Sequence, residues 1–199
     1  MINVLLLGDS IRQNYQEGVS KLLCDEAKVY FPKDNGRFGL YTLRYIHEWV
    51  KDLLPESSEK FDVIHFNCGL WDVLRLSNET EPMINKDLYG RTLERIVDRL
   101  RFFYPKAEIA FATTTMVIEP GFEPGIETGE RKNEDIIEYN EIARNVFDDT
   151  NVKINDLWSV SAIINDAYHS DQVHFETPEG SRILSETVAN FIRDNYIIG

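Results

Sequence analysis

Short apolar segments alternate with segments of helical periodicity along the whole chain, and this alternation constrains the fold most. Five apolar segments of strand length occur, at residues 2–7, 27–31, 63–66, 107–112 and 152–154. In the intervening segments apolar residues recur at spacings of three and four, as at Tyr41, Tyr45 and Trp49. Strands that alternate with helices predict a parallel sheet with helices on both faces. We therefore expect a three-layer α/β/α sandwich with a central five-stranded parallel sheet, of the flavodoxin-like type.

The size and charge of the chain narrow the classes of function. Its 199 residues, 43% of them hydrophobic, predict a single globular domain over 1–199. The formal net charge of −13 repels phosphate backbones and anionic lipids, so neither a nucleic acid nor a membrane is an expected partner. The first strand begins directly after Met1 and no apolar run approaches ~20 residues, so we expect a cytoplasmic protein. The oligomeric state cannot be read from the sequence.

The cysteine content excludes two further classes. Only Cys24 and Cys68 are present, so the sequence predicts neither a disulfide framework nor a Cys/His metal site. No metal and no organic cofactor is expected.

The first strand ends at Gly8-Asp9-Ser10, where helical spacing begins. A serine at such a turn exposes its hydroxyl at the carboxyl edge of the sheet, beside backbone N–H groups at the positive end of a helix. This is the arrangement that an acyl-transfer nucleophile requires. The alternative is structural, because Ser and Asp are also common N-cap residues.

A candidate base lies near the other end of the chain. His174 follows Asp171 by three residues in SDQVHFETPEG, just before the last helical segment. In one turn this spacing lets a carboxylate bind the imidazole Nδ1 and leaves Nε2 to take the proton of Ser10. The D-x-x-H pattern is weak evidence alone, since Asp166 and His169 share the spacing.

Four motifs together resemble the blocks of the SGNH (GDSL-type) hydrolases. GDS at 8–10 resembles the first block and DxxHF at 171–175 the last, while NCGLWD at 67–72 and DNGRFG at 34–39 lie where the other two are expected. The resemblance implies the SGNH hydrolase fold and a Ser10-His174-Asp171 triad. It also implies an oxyanion hole that includes the amides of Ser10 and of a block-two glycine, for which we prefer Gly36 to Gly39.

The third block departs from the family pattern. Aligning Gly69 and Asp72 with the G-x-N-D block places Trp71 at the position of the oxyanion asparagine. Our hypothesis is that the carboxamide of Asn35 or Asn67 replaces it, and that Trp71 lines the pocket or packs as a wall.

Further pocket residues follow from the same alignment. Gly39, Gly69 and Asp72 are candidates for the substrate pocket. Arg12 and Arg37 are candidates for the mouth of the site, where the alternative is pairing with surface carboxylates. The irregular segment 118–133 is either a functional loop or a surface insertion.

The sequence thus predicts a serine esterase or acylhydrolase acting on a small ester, with O-acetyl groups of carbohydrates as the preferred guess. Two alternatives remain. The first is a non-catalytic small-molecule or carbohydrate-binding protein with the same fold, which the missing block-three asparagine favours. The second is a nucleotide-binding or receiver-like protein of the flavodoxin fold, which the absence of G-x-G-x-x-G and of a P-loop disfavours.

Overall fold

The predicted parallel sheet is confirmed. The computed structural model describes residues 1–51, 53, 60–119 and 129–197. The strands of the main sheet are β1 (Ile2–Leu7), β2 (Ala27–Tyr30), β3 (Val63–Phe66), β5 (Glu108–Ala112) and β7 (Lys153–Asn155). Their order across the sheet is β2-β1-β3-β5-β7, and every neighbouring pair is parallel.

Helices cover both faces of this sheet. They are α1 (Ser10–Leu22), α2 (Gly39–Lys51), α3 (Lys86–Phe103), α4 (Asn133–Phe147), α5 (Leu157–Ser161), a 3-10 turn (Asp166–Tyr168) and α6 (Pro178–Tyr196). Helix α1 packs against α6, while α2 packs against α3 and α3 against α4, which gives the two outer layers of an α/β/α sandwich. None of the described helices combines the length and the apolar character needed to cross a membrane.

A second, two-stranded sheet was not predicted from the sequence. Strand β4 (Arg75–Leu76) pairs antiparallel with β6 (Gly129–Glu130). Each strand has only two residues, which is too short for an alternating hydrophobic pattern to be recognised. This pair fixes the end of segment 118–133 against the chain that follows β3.

The centre of the sheet carries a buried histidine. His65 on β3 is fully buried, and the side-chain N–H of Asn155 donates to its Nε2 over 3.1 Å. Its proton is therefore on Nδ1, which has no partner among the described residues. Burial lowers the pKa of His65 to about 4, so the ring is neutral and structural at neutral pH.

This histidine is expected to make the fold acid-sensitive. Between its folded pKa of about 4 and its unfolded pKa of about 6.5, only the unfolded chain binds the proton. The neutral ring makes its full contribution to the free energy of unfolding above about pH 6.5. This contribution is lost as the pH falls from there to about 4. The loss is about 3 kcal/mol, at ~1.4 kcal/mol per pH unit.

The variant His65→Gln tests this expectation, because glutamine keeps an acceptor for Asn155 and does not titrate. Urea unfolding at a series of pH values should show the wild type losing about 3 kcal/mol more than the variant between about pH 7 and pH 4. Buried carboxylates such as Asp72 affect both proteins alike and cancel in this difference. Parallel pH curves for the two proteins would contradict the assignment.

Candidate active site

The turn from β1 into α1 places Ser10 at the carboxyl edge of the sheet. Asp9 is the N-cap of α1, and its carboxylate accepts the Ile11 N–H over 3.0 Å. Ser10 is the first residue of the helix, so its own N–H belongs to the group that the helix cannot satisfy internally. The N-cap interpretation thus applies to Asp9, and Ser10 keeps both its hydroxyl and its amide for other partners.

Position 8 requires a glycine because a neighbouring side chain occupies the space that a Cβ would need. Its φ is +151°, and a Cβ there would lie 1.9 Å from the Oδ1 of Asn67. A side chain at position 8 would therefore displace Asn67, which lies directly after β3 and is itself buried.

Ser10, His174 and Asp171 form one hydrogen-bonded chain. The Nε2 of His174 lies 2.8 Å from the Oγ of Ser10, and its Nδ1 lies 2.8 Å from the Oδ2 of Asp171. With the proton on Nδ1 donated to the carboxylate, Nε2 is free to accept the serine proton. Ser10 and His174 are 164 residues apart in the sequence and meet because β1 and the segment before α6 end at the same edge of the sheet.

The carboxylate of Asp171 also organises the turn that carries His174. Its Oδ1 accepts the N–H groups of Val173 and His174, each over 2.7 Å. Burial alone would raise the pKa of Asp171, but the His174 ring and these two amides outweigh it and hold the pKa below its ordinary value. Asp171 is therefore ionised and is suited to stabilise a positively charged imidazole.

Two further contacts hold this turn in place. The Ser170 N–H donates to the His174 carbonyl over 2.8 Å, and the Ile118 N–H donates to the Gln172 carbonyl over 2.8 Å. The first closes the turn on itself. The second joins it to the segment that follows β5.

Of the two asparagines proposed for the oxyanion hole, Asn67 already donates its side-chain N–H to another residue. Its Nδ2 donates to the Oδ1 of Asp9 over 2.8 Å, and its side chain is only 5% exposed. Asn35 is partly buried, its Oδ1 accepts the Arg37 N–H over 2.8 Å, and its Nδ2 makes only a 3.5 Å contact with Gln13. Asn35 therefore retains the greater donor capacity of the two.

The Gly36 amide also has a partner already. It donates to the Gly8 carbonyl over 2.7 Å, a bond that holds the loop after β2 against the end of β1. Donation from Gly36 to an oxyanion would require this bond to open. The Gly39 amide donates to both oxygens of Asp72, over 3.0 and 3.2 Å.

Asp72 supports the neighbouring loops and does not line an open pocket. It is fully buried, and burial raises its pKa to about 7, with the amides of Gly39 and Gly69 acting in the opposite direction. Gly69 is buried with a φ of +145°, and a Cβ there would lie 2.1 Å from Thr114 Oγ1. These residues join the second and third blocks, which corrects their assignment to the substrate pocket.

Trp71, at the position of the missing asparagine, is partly buried. Its indole N–H is shielded from solvent and finds no acceptor within the described part of the chain. The side chain thus carries one shielded, unused donor, and its role as a wall of the pocket stays a prediction.

Arg12 and Arg37, the two arginines proposed for the mouth of the site, differ in burial. Arg12 is fully buried, and its guanidinium donates to the backbone carbonyls of Gly8, Pro32 and Asp34 over 3.2, 2.9 and 2.5 Å. It holds the loop after β2 against the first strand, which corrects the expectation that Arg12 lies at the mouth of the site. Arg37 is exposed, has a left-handed φ of +50°, and places its guanidinium 4.6 Å from the Tyr41 ring centre.

Segment 118–133 is described only at its ends, because residues 120–128 lie outside the described residues. Asn133 closes its base: its Oδ1 accepts the Val117 N–H over 3.0 Å and its Nδ2 donates to the Val117 carbonyl over 2.9 Å. Within the described ranges no group of His, Cys, Asp and Glu side chains is arranged to hold a metal ion.

Comparisons with known proteins agree on the fold. No family model matches the sequence, and no curated protein does. Among solved structures, a lipase/acylhydrolase from Enterococcus faecalis superposes with a TM-score of 0.74 at 18% identity, covering 98% of this chain and 96% of that one. An acetylxylan esterase from Geobacillus stearothermophilus gives a TM-score of 0.69 at 20% identity, covering 97% and 93%.

A member of the lipolytic G-D-S-L family from Veillonella parvula gives a TM-score of 0.63 at 16% identity, covering 96% of this chain and 97% of that one. These neighbours are GDSL-type lipase-acylhydrolases and carbohydrate esterases. The chain has the SGNH hydrolase fold over nearly its whole length.

Proposed function

We propose that this chain is a serine esterase that hydrolyses a small acyl ester through an acyl-enzyme on Ser10. The observation that carries the proposal is the unbroken hydrogen-bonded chain from Asp171 through His174 to the Ser10 hydroxyl. Because a hydroxyl, an accepting ring nitrogen and an orienting carboxylate are the elements of nucleophilic acyl transfer, the arrangement supports this reaction class.

The proposed reaction has two steps. His174 Nε2 takes the Ser10 proton while Oγ bonds to the ester carbonyl carbon, and Asp171 stabilises the imidazolium. The intermediate then breaks its bond to the alcohol oxygen, which receives the proton from His174. Water, deprotonated by His174, next attacks the acyl-enzyme, and Ser10 leaves with the returned proton.

The oxyanion hole is proposed to contain the amide of Ser10 and the carboxamide of Asn35. Asn67, in contrast, serves the scaffold through its bond to Asp9. Asn35→Ala is therefore expected to lower kcat by on the order of 100-fold, the usual result of losing one such donor. Asn67→Ala is expected chiefly to lower the free energy of unfolding, by about 1–3 kcal/mol.

Steady-state kinetics and thermal unfolding of both variants separate these roles. A folded Asn67→Ala enzyme with greatly reduced kcat, next to an Asn35→Ala enzyme of normal kcat, would reverse the assignment.

For the substrate we propose a small acyl group, with acetyl on a carbohydrate preferred, and a cytoplasmic location. Structural neighbours support this choice, since they include a carbohydrate acetylesterase from Sinorhizobium meliloti and the acetylxylan esterase. The competing function is that of a non-catalytic ligand-binding protein. It is favoured because the Asn67 carboxamide and the Gly36 amide already donate to other groups of the protein.

Covalent labelling with a fluorophosphonate tests the proposal without knowledge of the natural substrate. We expect the label on the peptide that contains Ser10 and none on Ser10→Ala. Hydrolysis of p-nitrophenyl acetate should fall to background in the same variant. Equal rates for the two proteins, with no label at Ser10, would support the binding protein instead.

A further inference from the structure

Asn14 lies one helical turn after Ser10 on α1 and binds the segment that carries His174. Residues four apart on a helix lie on the same face, so Asn14 and Ser10 point towards the same neighbour. The Oδ1 of Asn14 accepts the Phe175 N–H over 2.9 Å, and its Nδ2 contacts the Oε1 of Glu176 over 3.4 Å. Its carboxamide therefore bridges to the two residues that directly follow His174.

Apart from the hydrogen bond between His174 and Ser10, the other hydrogen bonds described above for the 171–174 turn do not involve the helix of the nucleophile. The bonds made by Asp171 and Ser170 lie within the turn and its flanks. The bond between Ile118 and Gln172 joins the turn to the segment after β5. The Asn14 side chain thus supplies a direct link between α1 and the His174 segment, beside the Ser10–His174 contact itself.

We propose that Asn14 is a positioning residue that holds the His174 ring within hydrogen-bonding distance of Ser10. This inference rests on the proposed esterase function, but its geometry does not depend on the identity of the substrate. Asn14 acts through the backbone of Phe175, a fully buried residue whose N–H would otherwise lose its partner. Loss of the bond frees the turn to shift relative to Ser10.

The expected effect on kcat is large, although the substitution removes only the hydrogen bonds of one side chain. A misplacement of reacting groups by about 1 Å can cost on the order of 100-fold in rate. Asn14→Ala is therefore expected to lower kcat for p-nitrophenyl acetate by about 10- to 100-fold, with KM changed much less. The rate of fluorophosphonate labelling at Ser10 should fall in parallel.

Two variants separate positioning from a general loss of structure. Asn14→Asp keeps an oxygen acceptor for Phe175, and combining it with Glu176→Gln removes the repulsion between two carboxylates. This pair should recover most of the lost kcat. The matched control is Ser181→Ala, which removes the 2.6 Å bond from the Ser181 hydroxyl to the Asn14 carbonyl and leaves the Asn14 side chain in place.

A readout that needs no turnover completes the test. In ¹⁵N-histidine NMR spectra, the Nε2 resonance of His174 should shift in Asn14→Ala and remain as in the wild type in Ser181→Ala. The proposal is overturned if that resonance is unchanged in Asn14→Ala, if Ser181→Ala loses as much kcat, or if the acceptor-keeping pair recovers nothing. A wild-type protein with no labelling and no turnover refutes the esterase function, whereas the NMR comparison still decides whether Asn14 positions His174.

Discussion

Replacing His174 with alanine is expected to lower kcat for p-nitrophenyl acetate hydrolysis by on the order of 10⁴-fold or more. The reason is that Nε2 of His174 is the acceptor 2.8 Å from the Ser10 hydroxyl, and an alcohol without such a base is a weak nucleophile at neutral pH. Whatever activity remains would come from binding and from the oxyanion donors alone. Steady-state kinetics, together with the rate of fluorophosphonate labelling, measure the loss.

The control for this variant is His47→Ala. His47 is an exposed histidine on α2, and its ring stacks on Phe103, so its removal tests the general effect of losing an imidazole. We expect kcat to remain close to that of the wild type. A loss of less than about tenfold in folded His174→Ala protein would mean that His174 is not the base.

The central strands β1, β3 and β5 could be predicted from the sequence because most of their residues are buried on both faces of the sheet. Residues 4–7 of β1 are completely buried apolar side chains, and a continuous apolar run in an alternating α/β pattern has few other interpretations. The predicted boundaries are close to the observed ones: the segment predicted at 107–112 is observed as Glu108–Ala112. The pair of β4 and β6 was missed because two residues in each strand are too few to show an alternating pattern.

The supporting residues of the site could not be predicted in the same way. The bond between Asn67 and Asp9 joins residues 58 positions apart and depends on how β1 and β3 are aligned. The burial of Arg12 likewise follows from three backbone carbonyls that face it from one loop and a strand end. Sequence motifs indicate which residue types are present, but the partner of each donor is settled by tertiary packing.

Asn14 also has a partner that could not be predicted from the sequence. Its position four residues after the candidate nucleophile was visible in the sequence, but the segment that it binds, around residue 175, is 161 positions away. The packing of α1 against α6, which begins just after this segment, helps to bring the two together. A polar residue one turn after a nucleophile is a signal worth testing when the nucleophile helix packs beside the segment of the base.

Asp171→Asn is expected to have the second large effect, a fall in kcat on the order of 10³- to 10⁴-fold. An asparagine can keep its oxygen towards the amides of Val173 and His174, which the Oδ1 of Asp171 now accepts. Its NH₂ group then faces the Nδ1 of His174, so Nδ1 must become the acceptor. The ring proton moves to Nε2, which can donate to Ser10 but no longer accept from it.

The turn itself should survive this change, because both amides keep an acceptor. The melting temperature of Asp171→Asn is therefore expected to stay near that of the wild type, whereas Asp171→Ala should lose stability as well as activity. This contrast separates the choice of tautomer from the folding of the turn.

The matched control is Asp166→Asn. Asp166 precedes His169 by the same three residues and lies in the 3-10 turn with an exposed side chain, but it has no part in the Asp171–His174–Ser10 chain. We expect its kcat to be unchanged. If Asp166→Asn and Asp171→Asn lost activity equally, the carboxylate effect would reflect the overall charge near the site, and the orientation of His174 by Asp171 would have to be abandoned.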